Sequence, residues 1–162
     1  MNVRRSLAFV FVIGISLCTA ATATAAQTYR DTISGYEYAF TSTDGRFAGS
    51  ASGSLPGLWE TDVRHTALCL SCTPTATITG GSFSLATGSG VVSGKFTGGT
   101  VQVINPGASC TNQTFAVRGV LEAVRGSGTG LFSATLTHFR HRILGSCVSY
   151  AASVKGTLSL TF

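Results

Sequence analysis

The last fifteen residues of the chain alternate between two kinds of side chain, and this pattern constrains the fold most. One set of alternate residues is mostly small and polar. The other set is apolar: Val148, Tyr150, Ala152, Val154, Gly156, Leu158, Leu160 and Phe162. Successive side chains of a strand point to opposite sides, so period two predicts a strand with one buried and one wet face. We therefore expect a long final strand that buries all of these apolar side chains.

Seven further segments show the same alternation less clearly, and no segment after the first 26 residues repeats apolar residues at helical spacing. In the first of them, Tyr36, Tyr38 and Phe40 share one face. Glycine, proline and asparagine separate the segments at short turns, which is typical of an up-and-down meander. Closure would remove both edges of such a sheet. We predict an all-β fold, a single antiparallel barrel of about eight strands, with the first seven at residues 32–41, 45–55, 58–67, 75–87, 91–104, 111–124 and 130–143.

A Gly-x-Phe tripeptide occurs four times, ending at Phe47, Phe83, Phe96 and Phe132. Glycine lets a strand bend or bulge, and the phenylalanine two positions later can fill the space beside it. This predicts that the four phenylalanine side chains lie inside the barrel.

Two of these motifs carry a resemblance to known proteins. Residues 44–53, DGRFAGSASG, resemble the Gly-x-Phe-Ala-Gly-x-x-Gly runs of secreted bacterial β-barrel proteins. Residues 128–132, GTGLF, resemble the Gly-Thr-Gly-x-Phe of the allene oxide cyclase and dirigent barrels. The second match departs at Ala134, which stands one position earlier than the family pattern has it. The resemblance implies an eight-stranded barrel and transfers no activity.

Residues 1–26 have the three parts of a secretory signal peptide. Arg4 and Arg5 precede a short apolar run, and Ala23-Thr24-Ala25 supplies the small residues of a cleavage site. The run is shorter than the ~20 residues that span a bilayer. Leu17 before Cys18 does not suit a lipoprotein cleavage site. The prediction is an exported chain, secreted or periplasmic, with a barrel domain at residues 27–162.

Four cysteines remain after the signal peptide, and an even number in an exported chain predicts disulfides. If the strands form a meander, all four lie at one rim, which predicts the pairs Cys69–Cys72 and Cys110–Cys147. A redox motif is the alternative for Cys69 and Cys72, but Pro74 follows instead of a helix. A structural zinc site is the other alternative, although it usually has two C-x-x-C pairs.

The densest ionisable cluster is the candidate ligand-binding site. In the segment HFRHR, alternation places His138, Arg140 and Arg142 on one side of the seventh strand. If that side faces inward, it forms a basic mouth for an anionic or carbonyl-bearing small molecule. If it faces outward, it is a solvated rim, and a bulge could switch the faces midway.

We predict that the other charged residues lie on the surface. Glu60, Asp62 and Arg64 share one face of the third strand, as surface ion pairs do. No nucleophile elbow, metal-binding histidine pair or phosphate loop is present, so no catalytic residue, metal or cofactor is predicted. The chain has 11 Lys and Arg residues and 6 Asp and Glu residues, and the basic residues fall to nine without Arg4 and Arg5. These remaining cations are scattered, which argues against a nucleic-acid partner.

Three function classes follow from these observations. The first is a secreted barrel without catalysis that binds a small ligand in or at its mouth, or serves as a surface component. The second is an enzyme of the cyclase or dirigent kind, and fold alone cannot establish it. The third is a small outer-membrane barrel, since such barrels begin at eight strands and can end, as here, in an apolar strand with a terminal phenylalanine.

Overall fold

The protein is a closed antiparallel barrel in which every strand pairs with its neighbours in sequence, and β1 also pairs with β8. This computed structural model describes residues 25–69, 74–123 and 128–162. The predicted signal peptide lies almost wholly outside the described residues. The eight strands are β1 Thr28–Phe40, β2 Asp44–Gly53, β3 Gly57–His65, β4 Thr75–Thr87, β5 Gly90–Asn105, β6 Gln113–Ala123, β7 Thr129–Ile143 and β8 Ser146–Thr161. The predicted all-β, eight-stranded, up-and-down barrel is confirmed.

The barrel interior is filled by aromatic and branched side chains and is a packed core, as in other small barrels. All four phenylalanines of the Gly-x-Phe motifs are buried. The Phe132 ring contacts those of Trp59 and Phe96, with centroid distances of 6.1 Å and 5.9 Å. A Cβ at Gly45 would lie 2.6 Å from the Phe47 ring, so the glycine makes room for that ring.

The two rims of the barrel are built differently. The β1–β2, β3–β4, β5–β6 and β7–β8 connections lie together at what we call the disulfide rim, which carries the Cys110–Cys147 bond. Residues 27 and 162 meet at the other rim, the terminal rim, where each donates its backbone N–H to the other's carbonyl oxygen, at 2.8 Å and 3.1 Å.

The Cys110–Cys147 bond confirms one predicted pairing, with Cα atoms 5.6 Å apart. Cys110 ends a short 3-10 turn, Ala108–Cys110, in the β5–β6 connection, and this turn brings it across the end of β7. Cys69 is also disulfide-bonded. Its predicted partner, Cys72, lies outside the described residues, so that pairing stays a prediction.

The predicted buried face of the last strand is wrong at both ends. Val154, Leu158 and Leu160 are buried, but Tyr150 is 67% exposed. Ala151 pairs with Phe139 and Ser149 pairs with Arg140, so Tyr150 forms a bulge without a partner on β7. The extra residue reverses the alternation, which turns Val148 outward. Phe162 is also exposed, at the terminal rim, where it contacts the Tyr29 ring.

The structure divides the aromatic face of β1, because Phe40 lies beside the His138 ring whereas the two tyrosines point away from the core. Tyr36 and Tyr38 are exposed on the outer wall, whereas Ile33 and the carboxylate of Glu37 lie inside. A bulge at Tyr38 again shifts the register, here against β2. Among the described residues, no helix is long and apolar enough to cross a membrane.

Candidate functional site

A buried ion pair lies inside the barrel at the disulfide rim. His138 Nε2 on β7 and Glu37 Oε2 on β1 are 2.6 Å apart. Only 10% of the His138 side chain and 3% of the Glu37 side chain are exposed. The two residues are 101 positions apart in sequence. Closure of the sheet brings their strands onto the same interior, with β8 between them.

Phenylalanine rings surround the histidine. The centroid of the His138 ring lies 5.1 Å from that of Phe40 and 5.2 Å from that of Phe115. Gly45 makes the space for the carboxylate, because a Cβ there would lie 2.7 Å from Glu37 Oε1. The pair is therefore held in a mainly apolar environment, where an unpaired charge would be costly.

A small cavity of about 140 Å³ opens from this pair toward the solvent. We call it the mouth cavity. Its walls combine apolar side chains from four strands with polar groups from the β1–β2 connection and the end of β3. The lining consists of Glu37, Phe40, Thr41, Ser42, Asp44, His65, Leu68, Val101, Phe115, Leu136 and His138.

The structure separates the three predicted site residues. His138 lines the mouth cavity, and its charged form faces the Glu37 carboxylate. Arg140 is half-buried and donates from Nη1 to the Gly107 carbonyl oxygen at 3.0 Å. Arg142 is exposed, and its Nη1 lies 3.4 Å from the Gly145 carbonyl oxygen. The two arginines thus contact connections at the rim and do not line the mouth cavity.

Sequence reasoning missed Glu37, although one signal pointed to it. Ile33, Gly35 and Glu37 share a face of β1 opposite Tyr36 and Tyr38. Asp31 lies on the same face and is also buried, and carboxylates placed among small or apolar residues of one strand face are a pattern for buried, partnered charges. The neighbouring tyrosines hid it, because aromatic residues more often mark the buried side of a strand.

The second charged cluster lies on the outer wall, where the described contacts of its carboxylates are hydrogen bonds to neighbouring strands and not the predicted ion pairs. Glu60 accepts a hydrogen bond of 2.6 Å from the Tyr38 hydroxyl, and this bond to the carboxylate raises the pKa of Tyr38. Asp62 accepts from the Ser82 backbone N–H at 3.0 Å. These contacts tie neighbouring strands together and leave the carboxylates outside the barrel.

Comparisons with known proteins add nothing to this description of the site. The chain matches no protein-family model, no curated protein and no solved structure. The resemblance to the allene oxide cyclase and dirigent barrels stays a prediction that rests on two short motifs. Within the described ranges, no group of three His, Cys, Asp or Glu side chains is placed to hold a metal ion.

Proposed function

We propose that this protein is an exported binding protein that takes a small, neutral, ring-bearing molecule in the mouth cavity. The observation that carries this proposal is the Glu37–His138 pair at the base of an otherwise mainly apolar cavity. Binding sites typically combine apolar walls with a few convergent polar groups. The mouth cavity has this composition on a small scale.

The cost of burying the pair supports a functional role. A buried ion pair usually contributes no more stability than two well-packed apolar residues of the same volume. Most of the interior is packed by such residues, with Asp31, Thr61 and Gln113 as further buried polar side chains, so packing alone does not require charges at these two positions. The pair offers a ligand both an acceptor, on the carboxylate, and a polar ring edge.

The charges of the cavity lining disfavour an anionic ligand. The Glu37–His138 pair carries no net positive charge in either form of the histidine, Asp44 adds another carboxylate to the lining, and Arg140 donates elsewhere. An anionic ligand would therefore find no unmatched cation in the cavity. A volume of about 140 Å³ is below the ~300 Å³ at which drug-sized pockets begin. A single substituted ring is the size of ligand that fits.

Export is the second part of the proposal. It is supported by the pattern of residues 1–26 and by the Cys110–Cys147 bond, since disulfides persist in oxidising compartments. The charged residues of the outer wall favour a barrel that is surrounded by water. Lys95, Arg118, Glu122 and Lys155 are exposed on it, whereas an outer-membrane barrel has an apolar band in this place.

Three probes of equal ring size test the ligand chemistry. Phenol, benzoate and benzylamine are titrated into ¹⁵N-labelled oxidised protein, and amide chemical shifts are followed. We expect phenol to shift amides of residues around the mouth cavity, such as Phe40, Phe115 and His138, with benzoate at least tenfold weaker. No localised shift with any probe would refute the proposal. Stronger binding of benzoate or of benzylamine than of phenol would refute the neutral-ligand part of it.

A pair of matched variants ties the binding to the buried pair. Glu37→Gln removes the buried carboxylate, and Glu60→Gln removes an exposed one from the outer wall. We expect only Glu37→Gln to weaken phenol binding, by about tenfold, because a lost hydrogen bond to a charged group is worth ~1.5–3 kcal/mol. Equal affinities in both variants would place phenol away from the pair.

A further inference from the structure

The β7–β8 hairpin has an exposed apolar tip. Leu144 and Gly145 form the two-residue turn that joins Ile143 to Ser146. Leu144 is fully exposed, and Ile143 is 50% exposed. Val148 and Tyr150 continue this apolar surface along the outer side of the hairpin. We call these four residues and the turn glycine the hairpin tip.

The residue at the turn is an unfavourable choice for folding. The φ angles of Leu144 and Gly145 are 48° and 83°. A two-residue turn with both φ angles positive favours Asn, Asp or Gly, and a leucine in this region is strained. Full exposure also means that the leucine gains nothing from burial within the chain. A strained, exposed apolar residue indicates a role outside the fold.

The β7–β8 hairpin carries basic side chains and no acidic ones. His141 and Arg142 are exposed beside it, and Arg140 lies one residue further down β7. None of the six Asp and Glu residues of the chain lies in residues 128–162. The acidic side chains exposed on the outer wall belong to other strands, such as Glu60 on β3 and Glu122 on β6.

From these observations we propose that the hairpin tip docks peripherally on an anionic phospholipid surface. Leu144 and Ile143 enter the boundary between headgroups and acyl chains, while Arg142 and His141 face the phosphates. Apolar residues next to cations are the combination that interfacial segments use. A convex tip with four exposed apolar residues suits insertion into a soft layer better than a groove-shaped protein partner.

The disulfide prepares the hairpin for this role. Cys147, three residues after Leu144, is bonded to Cys110 in the β5–β6 connection. Arg140 is fixed as well, because its backbone N–H donates to Asn112 Oδ1 at 3.2 Å. A tip held in its bound conformation loses less conformational freedom on docking. Docking at this tip is independent of ligand binding in the mouth cavity.

Leu144→Asn is the decisive variant, because asparagine favours the turn while removing the apolar side chain. Flotation with vesicles of phosphatidylglycerol and phosphatidylcholine, 3:7, is compared with phosphatidylcholine alone. We expect wild-type protein to bind the anionic vesicles, Leu144→Asn to bind them at least tenfold more weakly with unchanged or higher melting temperature, and Arg142→Gln about fivefold more weakly.

Leu131→Asn is the matched control, because Leu131 is a leucine 61% exposed on β7, at the end of the hairpin near the terminal rim. We expect it to bind vesicles as wild-type protein does. Equal binding by Leu144→Asn and wild-type protein, or equal binding to both vesicle types, would overturn the proposal. A concentration-dependent dimer that Leu144→Asn abolishes, without vesicle binding, would assign the hairpin tip to a second copy of the chain instead.

Discussion

The two rims of this barrel show opposite solutions to closing a sheet. Near the terminal rim, Leu121, Leu160 and Phe83 surround a space of about 10 Å³, which is too small for a ligand. At the disulfide rim, the interior holds the Glu37–His138 pair and the mouth cavity. The interior is tightly packed at the terminal rim, where Asp31 is the buried carboxylate, whereas at the disulfide rim it holds an ion pair beside an open cavity.

Irregular strand pairing follows the same division. Five register shifts interrupt the described strand pairs, and four of them lie within four residues of a strand end at the disulfide rim: those at Tyr38, Thr79, Ile104 and Tyr150. Bulges re-aim side chains and are common at barrel rims and beside functional sites. Regular pairing at the terminal rim thus coexists with irregular pairing at the disulfide rim, where the Cys110–Cys147 bond cross-links the β5–β6 connection to β8.

The largest effect is expected at the terminal rim. Deletion of residues 158–162 removes Leu158 and Leu160, both buried, and one end of the β1–β8 pairing. Each large buried side chain contributes ~1.5–3 kcal/mol, so the combined loss approaches the whole stability of a small domain. We expect no cooperative thermal transition by circular dichroism. A cooperatively melting truncation would show that the terminal rim does not carry the fold.

A smaller loss is expected when the disulfide rim is opened. Cys110 and Cys147 are 37 residues apart in sequence, and closing a loop of that length stabilises a fold by ~3–4 kcal/mol in the chain-entropy model. The double variant Cys110→Ala/Cys147→Ala should remain folded, but urea titration should show a free energy of unfolding that is lower by that amount. Stability equal to that of the oxidised wild-type protein would contradict a stabilising role of this bond.

The ion pair should show strong coupling between its two members. Replacing only Glu37 by Leu leaves His138 buried without its partner, at a cost of about 3 kcal/mol. Glu37→Leu/His138→Phe removes both charges, so it should cost clearly less than the sum of the single variants. A double-mutant cycle from urea unfolding measures this coupling. Simple additivity would mean that the pair is not a unit.

The smallest effect is expected for a buried carboxylate near the terminal rim. Asp31 is 4% exposed; its Oδ1 accepts from the Leu55 backbone N–H at 2.8 Å, and its Oδ2 has no partner among the described residues. Asp31→Asn keeps an acceptor for Leu55 and removes a buried charge. We expect a gain of up to about 1 kcal/mol in the free energy of unfolding. A loss of stability would indicate that the charge itself stabilises the terminal rim.

The sequence predicts the barrel well because alternation and turn residues are local signals. Period two in β8 and glycine at the turns are enough to infer the number and order of the strands. The Cys110–Cys147 bond also follows, because an up-and-down order gathers both cysteines at one rim. Each of these inferences needs no knowledge of what packs where.

The site is predictable only in part, because it depends on bulges and on contacts between distant strands. One unpaired residue at Tyr150 is enough to reverse the faces of β8, and a period-two pattern does not show where such a residue stands. Glu37 meets His138 across 101 positions, so their pairing appears only when the barrel closes. His138 could be identified as a candidate, whereas its partner and the different contacts of Arg140 and Arg142 could not.

The backbone hydrogen bonds between Gln27 and Phe162 place these two positions side by side, so the order of the strands around the barrel does not depend on which strand comes first in the chain. A short linker between these residues would bridge atoms that already touch, and the exposed turn at Gly88 and Ser89 offers a place to open the chain. Circularly permuted versions could then start at β5 while keeping all eight strand pairs. Both new ends would lie at the terminal rim. A reporter protein attached there would leave the mouth cavity and the hairpin tip, at the opposite rim, unobstructed.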